Sequence, residues 1–260
     1  MLDTTTPARS REALNDQQFG ETAVRYVQSA VHAGGADLRQ IGEIARGLEG
    51  ARAIDLGCGG GHVAYTVAPF VQSVVAYDLS ADMLAAVETE AKRRGLGNLS
   101  TARGPAEALP FPDQSFDAVF SRFSAHHWPD VRQGLREARR VLRRGGVAVF
   151  ADAVAPEQPM LDTFLQTFEM MRDPSHVRDY SSSEWVAFAA EAGFKVVGVT
   201  RRRLPLDFGQ WLLRQRTTPV MAEAIRALFG AVSEDVRTHF GIGDNFDFAI
   251  DTAVFEFAPL

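Results

Sequence analysis

The period of the apolar positions changes several times along this 260-residue chain, and each change marks an element. Across residues 19–48 the period is helical. Phe19, Ala23, Tyr26, Val27 and Val31 share one face, Gly34-Gly35 breaks it, and Leu38, Ile41, Ile44 and Ala45 form a second stripe with Asp37 as the predicted N-cap. Short continuous apolar runs then predict strands at 52–56, 73–77, 99–103, 116–121 and 147–151. Between them, Ser80 caps a helix that turns Met83, Leu84, Val87 and Ala91 inward. A helix over about 131–142 closes at Gly145-Gly146. Strands alternating with helices at this spacing predict a doubly wound, Rossmann-like α/β fold with a mostly parallel sheet and helices on both faces.

Beyond residue 155 the rhythm changes. Pro159 opens a helix rich in Leu161, Phe164, Leu165, Phe168, Met170 and Met171. Ser181 and Glu184 have capping-box spacing ahead of a helix through Trp185, Phe188 and Ala192, which Gly193 stops. Residues 194–200 and 246–257 predict the last two strands, for seven in all. One or two helices over 208–229 place an insertion at 205–245 between them.

The stretch Ala53-Ile-Asp-Leu-Gly-Cys-Gly-Gly-Gly-His62 is where chemistry enters. A strand ends, a turn follows with glycines at 57, 59, 60 and 61, and an amphipathic segment begins. That sequence of elements brings bare backbone against a small polar ligand. A dinucleotide site wants glycine at the first, third and sixth positions of the turn. Counted from Gly57, the sixth is His62. Asp55, two residues ahead of the turn, would repel a pyrophosphate but suits a ligand carrying an ammonium and a sulfonium. Asp78 ends the second strand about 20 residues after Gly57, where an acidic side chain can accept from two ribose hydroxyls. The charges favour S-adenosylmethionine over a nicotinamide dinucleotide.

Composition narrows the partners. The chain is 46% hydrophobic and 23% charged, with a net charge of -6. It therefore has no global basic field to draw it to nucleic acid. Residues 1–20 lack an apolar signal core, and no run approaches the roughly 18 apolar residues of a membrane span. Cys58 is the single cysteine, so no intramolecular disulfide or multi-thiolate metal site can form. A cytoplasmic protein without a metal is expected.

Ala53 to His62, Ala76-Tyr-Asp78, Glu107-Ala-Leu-Pro-Phe-Pro-Asp113, Ser115-Phe-Asp117 and Arg140-Val-Leu-Arg-Arg-Gly-Gly146 together resemble the class I S-adenosylmethionine-dependent methyltransferases. The resemblance is to the ubiquinone/menaquinone-methyltransferase-like branch and its small bacterial relatives, and it covers about 20–155. It implies that backbone at Gly57 and Gly59 lines the methionine part of the cofactor and that Asp55 orients its amino group. Asp78 would hold the ribose and Leu79 cover the adenine. The family's Gly-Asp-Ala-Glu turn reads Gly104-Pro105-Ala106-Glu107 here. Pro105 offers neither carboxylate nor amide proton, which leaves the Ala106 amide and Glu107 to meet the adenine. Ser121 and Arg122, after the fourth strand, take the position that usually faces the methionine end, and Tyr26 is placed near the cofactor's carboxylate. The implied division is an N-terminal helical lid over 1–50 and a methyltransferase domain over 51–260, with cap insertions at about 155–190 and 205–245.

Methyl transfer from a sulfonium rests largely on positioning and exclusion of water. A base helps when the acceptor is a hydroxyl or an acidic carbon, and histidine suits neutral pH. His126 and His127 follow the fourth strand, where either a base or a packing histidine beside Trp128-Pro129 fits. His32 lies in the lid-like segment. Arg132, Arg136, Arg140 and Arg144 recur every fourth residue and read as a solvated helix face, partly paired with Glu137. Much of the set Phe164, Phe168, Met170, Met171, Phe208, Trp211, Leu212, Met221 and Phe229 is expected to be ordinary helix packing, and a cap built from these segments is expected to offer an aromatic-lined pocket to a small, partly hydrophobic methyl acceptor. RNA or protein methylation, or cofactor binding without methyl transfer, are the alternative readings.

Overall fold

The computed structural model describes residues 34–260. The predicted first helix, with Tyr26 and His32, lies outside the described residues. The strands of the sheet are β1 (Arg52–Leu56), β2 (Ser73–Asp78), β3 (Leu99–Arg103), β4 (Phe116–Arg122), β5 (Leu142–Ala155), β7 (Phe194–Leu206) and β8 (Phe248–Pro259), and the two-residue β6 (Tyr180–Ser181) pairs with the end of β5. The path of the sheet runs β3-β2-β1-β4-β5-β8-β7. β1 to β5 run parallel, and β8 is antiparallel to both neighbours. The central strands are continuous apolar runs because helices cover both faces: in β1 every residue after Arg52 is buried.

One face carries α1 (Ala36–Arg46), α2 (His62–Val67) and α3 (Ala81–Arg93). Leu38, Ile41 and Ala45 of α1 join the same core as Val74, Val87 and Phe120. Full burial of a side chain such as Ile41 contributes about 1.5–3 kcal/mol. α3 begins as its sequence predicts, with the Ser80 hydroxyl accepting from Met83 N and Met83, Leu84, Val87 and Ala91 buried. α1 begins differently. Gly35 precedes it without a side-chain cap, and the Asp37 carboxylate instead pairs with Arg122 at the end of β4. The expected N-cap is an ion-pair partner.

The other face carries α4 (Val131–Val141) and α6 (Ser182–Glu191), whose Leu135, Ala138, Trp185 and Phe188 pack on Phe150, Phe255 and Phe257. The Ser181–Glu184 capping box is present in both directions. The arginine face of α4 is more specific than a solvated stripe. Arg140 donates to the carbonyls of Leu109 and Phe111 and pairs with Glu137 and Asp113, so it straps the loop before β4 to the helix.

β7 extends to Leu206, six residues past its expected end, because its whole length pairs with β8. Between them come α7 (Phe208–Arg214), α8 (Pro219–Gly230) and α9 (Glu234–Phe240), which pack with α5 (Pro159–Arg172). Their centre is aromatic. Phe168 is fully buried, with the rings of Phe164, Trp211, Phe229, Phe240 and Phe248 at 5.2–5.8 Å. No helix among the described residues is long and apolar enough to cross a membrane.

Candidate active site

The ends of β1, β2, β4 and β5 open into a cavity of about 400 Å³ whose lining also includes residues of α5, α7, β7 and β8. Parallel sheets put ligands at this carboxyl edge.

Asp55 lies at the floor, 1% exposed. Its Oδ2 accepts from Ala64 N at 3.1 Å, while Oδ1 has no protein partner among the described residues. Burial pushes its pKa up to about 7. The Ala64 N–H opposes this, the charge of Asp78 adds to it, and Arg122 lowers it again. In the turn that follows, Gly57 N and Cys58 N donate to the Tyr77 carbonyl at 2.8 and 3.0 Å. Gly57 has φ +65, and a Cβ there would stand 1.7 Å from Ser124 Oγ, so packing against the loop after β4 demands this glycine. Gly59 has φ +48, and a Cβ there would meet nothing within 4 Å; its bare Cα faces open space. Its N–H donates to Asp78 Oδ2 at 2.8 Å, and Ser80 N donates to Oδ1 at 2.9 Å. Asp78 thus braces the turn from β2.

Leu79, Ala106 and Glu107 also line the cavity. The Pro105 carbonyl accepts from Tyr77 Oη at 3.2 Å, and Glu107 accepts from Asp130 N at 3.2 Å. Ser121 does not line the cavity. Its hydroxyl donates to the Leu56 carbonyl at 2.8 Å and the residue is 2% exposed. Alternation along β4 turns its neighbour Arg122 to the wall instead. The aromatic pocket expected from the cap is also corrected. Of that set only Trp211 reaches the cavity, the other rings being spent on the cap's own core. The remaining wall there combines Leu204, Leu206 and Ile250 with Arg172 and Arg202.

His126 and His127 sit on a 3₁₀ turn (Ala125–His127), with ring centroids 4.2 Å apart. His126 Nδ1 lies 2.6 Å from Asp152 Oδ1. Asp152, buried in β5, also accepts from Ala125 N and Ala153 N at 2.9 Å each. Burial opposes a charge on His126, but the charge and hydrogen bond of Asp152 outweigh it. Asp179 and Glu169 add to the attraction, and the pKa rises to about 9. His126 is therefore an imidazolium at neutral pH. His127 goes the other way: burial, then the charge of His126, push it down to about 4. Its Nδ1 faces the carbonyl and hydroxyl of Ser175 at 3.3 and 3.2 Å.

The segment after α5 is stitched to this pair. Val177 N and Arg178 N both donate to the His126 carbonyl, at 2.8 and 3.2 Å. His176 is held neutral by burial and the nearby histidines, and burial raises Asp179. Among the described residues, His126, Asp152 and Asp179 bring donor atoms within 4.8 Å of one another. Both Asp152 oxygens are already engaged inside the protein, so this trio is closed by internal pairing.

Asp152, Asp173, Ser175 and Asp179 escaped the sequence reading. A signal existed for Asp152, a lone acid inside the apolar run Val147-Ala-Val-Phe-Ala-Asp-Ala-Val154. For Asp173-Pro-Ser-His176 the sequence shows only a turn, and its proximity to His127 is a matter of tertiary structure.

The model of a family described as "Methyltransferase domain" matches residues 54–150. The chain is 44% identical over 191 residues to "Uncharacterized protein YafE" of Escherichia coli, covering 74% of this chain and 92% of that one. It is 35% identical over 228 residues to "Uncharacterized methyltransferase YcgJ" of Bacillus subtilis, covering 88% and 90%. The crystal structure of YcgJ superposes with a TM-score of 0.81 at 32% identity, covering 85% of this chain and 97% of that one. A demethylmenaquinone methyltransferase of Geobacillus kaustophilus is 38% identical over 123 residues, 46% of this chain and 51% of that one. With the glycine turn, Asp55 and Asp78 at the carboxyl edge of the sheet, the chain belongs to the S-adenosylmethionine-dependent methyltransferase family.

Proposed function

We propose that the chain methylates a small, partly hydrophobic acceptor bound between the glycine turn and the histidine pair. One observation carries the reading: a single cavity is lined both by Asp55, Gly59 and Asp78 and by His126, His127 and Trp211. The residues fit the cofactor. The partnerless Oδ1 of Asp55 suits an ammonium group, and the bare Cα of Gly59 leaves room for a ligand against the backbone. Asp78 would take the ribose hydroxyls, Gly57 and Gly59 the methionine part, Leu79 the adenine face, and Ala106 with Glu107 the adenine edge. S-adenosylmethionine supplies an activated methyl on sulfur, whose departure leaves a neutral thioether. The protein's share is to orient the acceptor, exclude water and manage the acceptor's proton.

Leu204, Leu206, Ile250 and Trp211 give the acceptor end its apolar surface, and the similarity to a demethylmenaquinone methyltransferase supports an acceptor of that size and polarity. Residues 1–50, with Tyr26 and His32, are proposed as the N-terminal lid segment, its α1 packed on the sheet with Gly34 to Asp37 at the cavity wall, and 51–260 as the methyltransferase domain. Cap insertions at about 155–190 and 205–245 belong to the same reading. Calorimetry with S-adenosylhomocysteine, followed by transfer of labelled methyl from S-adenosylmethionine into small-molecule, RNA and protein fractions of a cell extract, tests it. Binding with label in the small-molecule fraction is expected. Label confined to RNA or protein, or binding without label anywhere, overturns it.

A further inference from the structure

At the acceptor end of the cavity, one row across the sheet carries a polar wall. Ala153 of β5 stands opposite Thr252 of β8, and Thr252 stands opposite Arg202 of β7. Residues paired across a sheet share a face, and all three line the cavity. Two positions further along β7, the cross-strand pair of Leu204 and Ile250 lies on the same face and supplies apolar surface.

Arg202 is held in place but not neutralised. Its Nη2 donates to Gln40 Oε1 of α1 at 2.7 Å, and Gln40 Nε2 donates in turn to Glu256 at 2.7 Å and to Thr200 at 3.2 Å. Nη1 is buried and has no hydrogen-bond partner among the described residues. Two other arginines of this end are already committed, Arg172 to Glu169 at 3.0 Å and Arg203 to Asp251 at 3.0 Å. No carboxylate among the described residues meets Arg202 in the same way. A buried donor without a partner is uncommon in a folded protein, and a guanidinium is the side chain best shaped to meet a carboxylate. Thr252, directly across the ladder and 7% exposed, brings a hydroxyl beside it.

The order of the strands sets this row apart from the residues assigned to the cofactor. Those residues cluster around the ends of β1 and β2. β7 lies four strands from β1, about 19 Å at the spacing of a sheet. Arg202 therefore belongs with the acceptor and not with the methyl donor.

We infer that Arg202, with Thr252, is the specificity anchor for a carboxylate on the methyl acceptor. The acceptor is then an elongated organic acid. Its apolar body lies along Leu204, Ile250 and Trp211, its carboxylate meets the Arg202 guanidinium, and its reacting atom points back toward the glycine turn. This deepens the methyltransferase reading and rests on it: among acceptors of one shape, the acid is preferred to its uncharged counterpart.

Calorimetry on the whole chain loaded with S-adenosylhomocysteine tests the anchor, with decanoate, dodecanoate and their primary amides as probes. Each acid is expected to bind at least about tenfold more tightly than its amide. Arg202→Gln should bring acid and amide within about twofold of each other, and Arg202→Lys, which keeps the charge, should retain part of the preference. S-adenosylhomocysteine affinity unchanged within about twofold in both variants shows that the fold and the cofactor wall are kept. Equal binding of acid and amide by the unmodified chain, binding of neither acid, or a preference that survives Arg202→Gln overturns the anchor. Tighter binding of decyl phosphate than of decanoate overturns the choice of a carboxylate. Loss of S-adenosylhomocysteine binding in the unmodified chain would count against the methyltransferase reading itself. The same comparison made without S-adenosylhomocysteine still decides the anchor, which an acid preference that vanishes in Arg202→Gln upholds.

Discussion

The two walls of the cavity are built by opposite strategies. On the glycine-turn wall, carboxylates are held by backbone amides: Asp78 by Gly59 N and Ser80 N, Asp55 by Ala64 N. On the histidine wall, side chains hold side chains across long separations. His126 meets Asp152 across 26 residues and His127 meets Ser175 across 48. A wall of carboxylates held by backbone amides can be recognised as a motif and reused for one ligand. A wall of long-range side-chain pairs depends on the cap that brings them together, which is how one fold can keep its donor and change its acceptor.

The largest effect should come from breaking a long-range pair. Asp152→Ala leaves a buried imidazole charge and two amides without acceptors, and should cost about 3–5 kcal/mol of stability in urea unfolding. A cost near that of an exposed carboxylate would show that the histidine wall is not held as described. On the opposite wall, Asp78→Ala removes the brace of the glycine turn together with the ribose partner and should weaken S-adenosylhomocysteine binding by about 1–3 kcal/mol in calorimetry. Unchanged affinity would remove Asp78 from the cofactor's contacts.

Asp55 sharpens the contrast through pH. Its folded-state pKa is raised to about 7, above the ordinary 3.8. The stability this group contributes to the ligand-free protein is therefore fully present below the unfolded value and is lost as pH rises through 7. Binding an ammonium needs the ionised form, so affinity for S-adenosylhomocysteine should rise as pH climbs toward 7, up to about tenfold per pH unit, and level off above it. Asp55→Asn should flatten that dependence, and a slope that survives the substitution would place the titrating group elsewhere.

The smallest effects separate two arginines of α4. Arg140→Ala loses the carbonyls of Leu109 and Phe111 as well as two carboxylates, and should cost about 1–2 kcal/mol. Arg136, 3.9 Å from Asp130 with both side chains about half exposed, should cost under about 0.5 kcal/mol when replaced by alanine. Equal costs would mean that the helix presents a plain charged face after all.

Legibility followed the same divide. The starts of β1 to β4 and β7, the Ser80 cap, the Ser181–Glu184 capping box and the inward stripe of α3 were readable because each depends on residues within one or two turns. By contrast, β5 begins at Leu142, five residues before its expected start, and runs through Gly145-Gly146. Asp37 was misread because its carboxylate has a partner 85 residues away, and that ion pair outcompetes a local cap. Ser121 and Arg122 were placed on the wall together by analogy of position, whereas the pleat of β4 keeps Arg122 there and turns Ser121 toward Leu56. The cap aromatics were readable as helix packing around a pocket but could not be sorted between the two, because nothing in their spacing says which rings meet one another and which meet the cavity.

By itself the sequence determined the order of strands and helices, the glycine turn with its flanking carboxylates, and so the class of methyl donor. These rest on hydrophobic period and on backbone conformations that neighbouring residues dictate. Only the tertiary structure decided that His126 carries a charge while His127 is kept neutral. Burial and partners set a titration, and the partners here, Asp152 in β5 and Ser175 beyond α5, come from parts of the chain that meet the histidines only when the sheet and the cap close over the same cavity.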